Sequence, residues 1–408
     1  MHVAWRVVGS AVVAAWLVAA QARAQFVPAA PEAESARVHA GPLLLNPTLS
    51  LNNVGLDTNL FNQADVAEPR RDLALTFVPQ TEIWMRAGRT WLTGNLREDL
   101  VWFRDYRDQR SANGTFKGGW LVPLNRLSMH VEGQYVRSRE RPSYEIDIRA
   151  DRRERAGTLT LEARPLPRTF IGTRLEQREI RFSDTVLFGG ERLAAQLNRT
   201  RTAGLLAVRH ELTPMTSLTV EGSAFRDRFV IARERDSQSA QIAAGVRFDP
   251  SALVNGFVLV GYRHFSPGTL EVPDYRGPTL SASVSYVARS STRLTIDAGR
   301  DVEYSYDPGR PYYLLSGAAA TLTQHIAGPF DVQGRVGLRA LAYRDRLDAA
   351  VVTPDRNDRV WSYGGAIGYR LGAGTRLSVE IETQQRISPV LLRNYRGTRY
   401  GMGITWVP

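Results

Sequence analysis

The sequence predicts an all-β fold, a transmembrane antiparallel up-and-down β-barrel of about 18 strands, with about 16 as the alternative count. Three observations carry that reading. The chain opens on an export-type segment, oily and polar side chains alternate residue by residue along many later stretches, and the connectors between those stretches alternate long and short.

The alternation is clearest at the end, where Tyr400, Met402, Ile404 and Trp406 interleave with Arg399, Gly401, Gly403 and Thr405. Successive side chains of a strand point to opposite faces, so one face suits hydrocarbon and the other water. At the start, Arg6 precedes the apolar run Val7 to Ala20 and then Ala22-Arg23-Ala24, a small-x-small cleavage site. Residues 1–24 therefore read as a secretory signal peptide and 25–42 as a periplasmic lead-in too short for a plug domain, leaving 43–408 for the barrel. No later stretch approaches the roughly 20 uncharged apolar residues that a spanning helix needs.

Composition agrees. Mean hydropathy is -0.26, as expected where half of every spanning strand faces water. The chain has no cysteine, which excludes a disulfide framework, a thiolate metal site and lipoprotein acylation. Its formal charge of +11 falls to +9 without Arg6 and Arg23. The arginines are scattered among 41 acidic residues and form no stripe, so no nucleic-acid partner is expected.

In chain order, the first strand is Leu43 to Val54, followed by a polar loop from Asp57 to Arg71. Paired strands follow: Asp72 to Ala87 with Thr90 to Tyr106 about Gly88-Arg89, and Arg110 to Val122 with Leu127 to Arg137 about Pro123 to Arg126. After the loop Ser138 to Arg152 come Arg153 to Arg164 and Thr169 to Phe182. After Ser183 to Leu197 come Asn198 to His210 and Ser217 to Val230. Asp236 to Phe248 and Phe257 to Phe265 precede the loop Ser266 to Arg276. Then come Gly277 to Val287 with Thr292 to Tyr306, Tyr312 to Ile326 with Phe330 to Asp345, and Arg359 to Leu371 with Thr375 to Arg386, before the last strand. Outer-membrane barrels have short periplasmic turns and longer outer loops, and an even strand count returns both termini to the periplasm. The expected place is the outer membrane of a Gram-negative-type bacterium, with membrane lipid, lipopolysaccharide and the barrel-assembly machinery as partners.

The polar faces gather a candidate lumen lining: Arg97, Asp99, His130, Glu132, Arg174, Glu176, Arg178, Glu221, Arg247, Arg263, Asp297, Arg335, Arg339, Glu380, Glu382 and Arg399. Tyr135, Tyr286, Trp361, Tyr369, Tyr400 and Trp406 form the candidate lipid-facing girdle. A barrel this wide holds water unless loops fold in. Its charged rings either select solutes by charge or simply pair across neighbouring strands. Glu98 shares a face with Leu96 and Leu100, which predicts a bulge or a locally reversed register. The arginines of the Asp151 to Arg155 run, with Arg139 and Arg141, are placed at the outer rim, either solvated or on lipopolysaccharide phosphates. Glu380 and Glu382, two apart on one face, meet the spacing of a glycosidase carboxylate pair, but any lumen this rich in carboxylates produces such pairs. His130, His210, His264 and His325 have no metal-ligand spacing, and no phosphate-binding glycine loop precedes a helix. No cofactor and no catalytic activity are expected.

Leu45-Asn46-Pro47-Thr48-Leu49-Ser50-Leu51 followed by Asp57-Thr58-Asn59-Leu60-Phe61 resembles the opening of the putative β-barrel porin 2 family. The resemblance implies a barrel over most of the mature chain and a role in passing polysaccharide, as in the exopolysaccharide-locus members. The final strand is similar to outer-membrane protein ends that close on Phe or Trp, although here Val407 and Pro408 follow Trp406. The expected function is a porin-like channel for polysaccharide or small anionic solutes. The alternative is a structural or adhesive barrel whose lumen is blocked by its loops.

Overall fold

The computed structural model describes residues 26–289, 291–347, 356–372 and 374–408, so the expected signal segment lies outside the described residues. The strands are β1 (Val38–Ala40), β2 (Leu43–Asp57), β3 (Asp72–Ala87), β4 (Thr90–Phe103), β5 (Ser111–Pro123), β6 (Leu127–Glu140), β7 (Ala150–Leu166), β8 (Thr169–Phe182), β9 (Leu187–Phe188), β10 (Glu191–Arg192), β11 (Arg199–Thr213), β12 (Thr216–Phe229), β13 (Ser237–Phe248), β14 (Val254–Pro267), β15 (Tyr275–Ala288), β16 (Thr292–Tyr304), β17 (Tyr312–His325), β18 (Phe330–Arg344), β19 (Asn357–Leu371), β20 (Thr375–Ile387) and β21 (Tyr395–Trp406). Eighteen of them, β2 to β8 and β11 to β21, close into one antiparallel barrel, the architecture and count that the alternation predicts. β1 pairs with the start of β2, and β9 pairs with β10 inside a connector.

Backbone chemistry explains the short turns and the closure. Gly88 and Gly372 occupy the left-handed region, φ +63° and +70°, which a tight hairpin requires and a side chain resists. Closure pairs β2 with β21, and the register slips between Leu51 and Val54, where Asn53 adopts φ +54°. Two residues there oppose one, which is a bulge. A Cβ at Gly55 would collide with the Tyr400 carbonyl, so only glycine lets the first strand approach the last this closely.

Glu98 brings no bulge. The β4–β5 register is unbroken from Trp91 to Val101, and Glu98 stays on the outer face. It meets Arg137 Nη2 at 3.3 Å across Gly114, which has no side chain to intervene. Neutralisation by a neighbour replaces the expected change of register, because the apolar surroundings penalise an unpaired carboxylate.

The barrel wall is not a uniform tube. On one face of β16 and β17, Ile296 and Leu322 are 48% and 47% exposed, whereas Val302, Tyr304, Tyr312 and Leu314 on that same face are at most 8% exposed. The ladder between β15 and β16 stops at Leu280 and Arg300, although both strands continue. Beyond that point the β16–β17 hairpin leaves the wall and bends into the lumen. Its former outer face packs on the inner faces of β12 and β14, with Tyr304 edge-on to Phe229 at 4.9 Å and Tyr312 against Phe265 at 5.0 Å. The connector 183–198 adds Leu193, Ala194 and Leu197 of a five-residue α-helix to this core, a helix the sequence did not foretell. Burial of each such large side chain contributes about 1.5–3 kcal/mol, which holds an interior cluster that a water-filled tube would lack.

Candidate channel constriction

Strand β6 runs on to Glu140 and β7 begins at Ala150, so the expected long outer loop shrinks to 141–149. That loop turns inward and crosses to the far wall. Ile146 enters the hairpin core and Tyr144 lies on a second cluster with Tyr313, Leu341 and Tyr343. Apolar residues at 144, 146 and 148 alternate with acidic ones at 145 and 147, a two-sided pattern that a solvated loop does not need. That signal was present in the sequence, and it distinguishes this loop from its neighbours.

Charge fixes the loop in place. Arg386, fully buried on β20, meets Asp147 at 2.6 Å and Asp358 at 3.9 Å and donates to the Tyr144 carbonyl. Arg393 adds a second contact to Asp147 at 3.2 Å and donates to the Glu145 carbonyl. Arg141 donates from Nη2 to Leu60 O at 2.6 Å and from Nε to Asp147 O at 2.7 Å. It is therefore drawn into the barrel instead of lying at the solvated rim. Arg152 and Glu154 also face inward, paired at 3.0 Å, so the arginine run 151–155 divides between the two faces.

Glu145 is the buried acid of this latch, accepting from Ser305 Oγ at 2.6 Å and from the Tyr306 amide at 3.1 Å at the tip of the inward hairpin. Burial pushes its carboxyl up to about 7, against the opposing pull of the Ser305 hydroxyl and of Arg393. The docked loop thus holds a proton that a released, solvated loop gives up near the ordinary value of 4.5. Docking gains strength as pH falls from about 7 towards 4.5 and loses it as pH rises through about 7, a shift worth about 3 kcal/mol at most. Channel flicker in planar bilayers is therefore expected to increase between pH 5 and pH 8 and to lose that dependence in Glu145→Gln. A wild-type record that is flat across this range removes Glu145 from the latch.

Between Tyr144 and the wall of β19, β20, β21 and β2 lies a cavity whose empty volume, open solvent included, is ≈ 520 Å³, lined by Asp57, Asn59, Asn62, Ser362, Glu382, Gln384, Gly397 and Arg399. Arg399 Nε meets Asp57 at 2.8 Å, Arg335 reaches Glu382 at 4.0 Å, and the Arg339 guanidinium stands 4.7 Å above the Tyr144 ring. Arg335, Arg339, Glu382 and Arg399 of the candidate lining therefore converge here, and Glu380 shares a face with Glu382 on β20.

The remaining members of the lining lie elsewhere on the interior faces. Arg97 pairs with Asp99 at 2.9 Å, Arg178 with Glu176 at 2.9 Å, Arg247 with Glu221 at 2.6 Å, and Arg263 with Asp301 at 2.7 Å. Asp297 accepts from Ser283 Oγ at 2.7 Å. His130 is buried near Gly119, and Glu132 follows it on the same face of β6. Of the girdle residues, Tyr286, Trp361, Tyr369, Tyr400 and Trp406 are exposed on the outside, and Tyr135 stacks on Phe116 with centroids 6.4 Å apart. Among the described residues no group of three or more potential ligands can hold a metal ion.

The opposite mouth is also narrowed. Arg174 reaches the carbonyl of Phe26 at 3.5 Å, and the Phe26 amide donates to Glu162 at 3.1 Å beside the short turn of β7 and β8. Val27 packs with Leu44, Trp91 and Leu121. The lead-in, short as it is, enters the barrel instead of trailing from it.

A family model described as "Putative beta-barrel porin 2" matches residues 31–406. No curated protein matches the chain. Among solved structures, Pseudomonas aeruginosa OccK2 (OpdF) is similar at TM-score 0.51 and 12% identity, over 89% of this chain and 98% of that one. A BenF-like porin from Pseudomonas fluorescens Pf-5 gives 0.49 and 11%, over 89% and 99%. Pseudomonas aeruginosa OpdK with vanillate gives 0.48 and 9%, over 89% and 98%. At such identities the likeness concerns the fold alone.

Proposed function

The chain belongs to the putative beta-barrel porin 2 family, and on that premise we propose that this outer-membrane porin barrel is a narrow, loop-constricted channel for small uncharged hydrophilic solutes. The observation that carries the reading is the charge balance at the constriction. Around Tyr144, Asp57 and Glu382, with Glu380 next to Glu382 on the same face of β20, stand against Arg335, Arg339 and Arg399, and amides and a hydroxyl fill the rest of the lining. Paired rings leave little net field to favour one ion, whereas hydroxyl-rich solutes find donors and acceptors on every side. The short turns and both chain ends face the periplasm in this reading. A polysaccharide strand follows the same route only when loop 141–149 and the lead-in swing aside.

The test is the reversal potential of single channels across a potassium chloride gradient. We expect weak selectivity in the wild type and a clear shift towards anions in Glu380→Gln/Glu382→Gln, which leaves the three arginines in excess. Strong wild-type selectivity of either sign defeats the reading. Zero conductance from well-folded protein instead supports a structural barrel with a blocked lumen, the alternative favoured by the narrowing at both mouths.

A further inference from the structure

We propose that the outer surface of β6, β7, β8 and β12 at the long-loop end binds the phosphate of a phosphorylated lipid headgroup, that of lipopolysaccharide, in the adjacent leaflet. On β7, Arg152 and Glu154 pair inside the barrel, so Arg153 and Arg155 point out. Register places Arg153 between Arg137 of β6 and Arg181 of β8, and places Arg155 beside Glu179. Through Thr200 of β11 the Glu179 row continues to Arg228, and through Thr202 the neighbouring row reaches Arg226.

These six outward arginines face Glu98 and Glu179, and the next row out, Arg139 with Asp151 at 3.8 Å, is neutral. Arg137 is matched by Glu98 at 3.3 Å and Arg181 by Glu179 at 2.6 Å. The side chains of Arg153, Arg155, Arg226 and Arg228 are exposed and make no hydrogen bond or ion pair among the described residues. A surplus of four positive charges remains on a wall that turns apolar at once towards the barrel middle.

There Phe116 stacks on Tyr135, and below them Gly94, Gly118, Gly133 and Gly157 stand in direct register across four strands. A Cβ at Gly118, Gly133 or Gly157 would meet open space, so the row is a shallow furrow floored by backbone. An acyl chain fits such a furrow while the guanidinium groups above take up phosphate oxygens in the two-pronged geometry that arginine favours. Anionic headgroups attract cationic side chains near the membrane surface at about 1 kcal/mol each. A second copy of this chain would bring the same positive surplus against it, which argues for lipid over a protomer contact.

The full-length protein in detergent, presented with bisphosphorylated lipid A, the same lipid stripped of phosphate, or inorganic phosphate, tests this by native mass spectrometry. The wild type is expected to retain the phosphorylated lipid at least about tenfold better than the stripped one. Arg153→Ser/Arg155→Ser/Arg226→Ser/Arg228→Ser should lose that preference, while Arg359→Ser/Arg396→Ser, on the outer face of other strands, keeps it. Unchanged retention by the fourfold variant, equal retention of the stripped lipid, or full competition by inorganic phosphate each overturns the proposal. Loss of an oligomer from the variant without loss of lipid also overturns it, in favour of a protomer interface. Heat-modifiable gel mobility confirms that the variants are folded, and their channel conductance should not change, so this proposal fails or stands apart from the channel reading.

Discussion

Replacing residues 141–149 with a two-residue Asn-Gly turn is expected to raise single-channel conductance several-fold. The change is structurally mild for the wall, because the β6–β7 ladder continues to the facing pair Glu140 and Ala150, whose ends a two-residue hairpin joins. Its effect on the lumen is large. Tyr144 and Ile146 leave the interior, so the cavity against β19, β20, β21 and β2 widens towards the barrel centre. Glu145 no longer accepts from Ser305 and Tyr306, so the tip of the β16–β17 hairpin loses its polar anchor and the second obstruction loosens with the first. Conductance is read in planar bilayers on protein whose folding is established by heat-modifiable mobility. Conductance equal to the wild type would mean that the inward hairpin, held by its aromatic contacts alone, sets the bore.

Much of this architecture was legible in the sequence because a membrane-spanning wall repeats one rule. Every strand must present oil outward, and a charge turned into the lipid midplane costs about 2–4 kcal/mol, so Leu377, Val379 and Ile381 reveal their face as soon as they are read against Arg376, Glu380 and Glu382. The rule weakens where lipid ends. Val302, Tyr304, Tyr312 and Leu314 read as ordinary lipid-facing positions, since an oily side chain facing acyl chains and one facing another sheet look the same. What separates them is the end of the β15–β16 ladder at Arg300, a long-range event with no local marker. Polar partners were hidden for the same reason: Arg386 and Asp147 are 239 residues apart. The Tyr144 to Ile148 alternation inside a charged loop was the one local sign that a connector belonged to the interior.

Arg386→Leu is expected to free loop 141–149 without unfolding the barrel. The guanidinium is fully buried and stands between Asp147 and Asp358, with the Tyr144 carbonyl as its third partner. Removing one member of a buried charge group costs about 3–5 kcal/mol, because the carboxylates left behind have lost both counter-charge and water. Asp358 keeps Arg356 at 2.7 Å and Ser388 at 2.6 Å, so the strand end it occupies stays satisfied. Among the described residues Asp147 then keeps one carboxylate ion pair, to Arg393 at 3.2 Å, and regains solvation most easily by pulling the loop outward. The wall itself rests on uninterrupted neighbouring ladders that this change does not touch. The penalty therefore emerges as local release, seen as protease cleavage within 141–149 and frequent conductance steps, with heat-modifiable mobility retained. Asp147→Asn in the same chain removes the stranded charge and should recover part of the quiet, resistant state, a coupling that a double-mutant cycle measures. An Arg386→Leu channel as quiet and as protease-resistant as the wild type would show that apolar contacts of Tyr144 and Ile146 hold the constriction, with the ion pairs filling space around them.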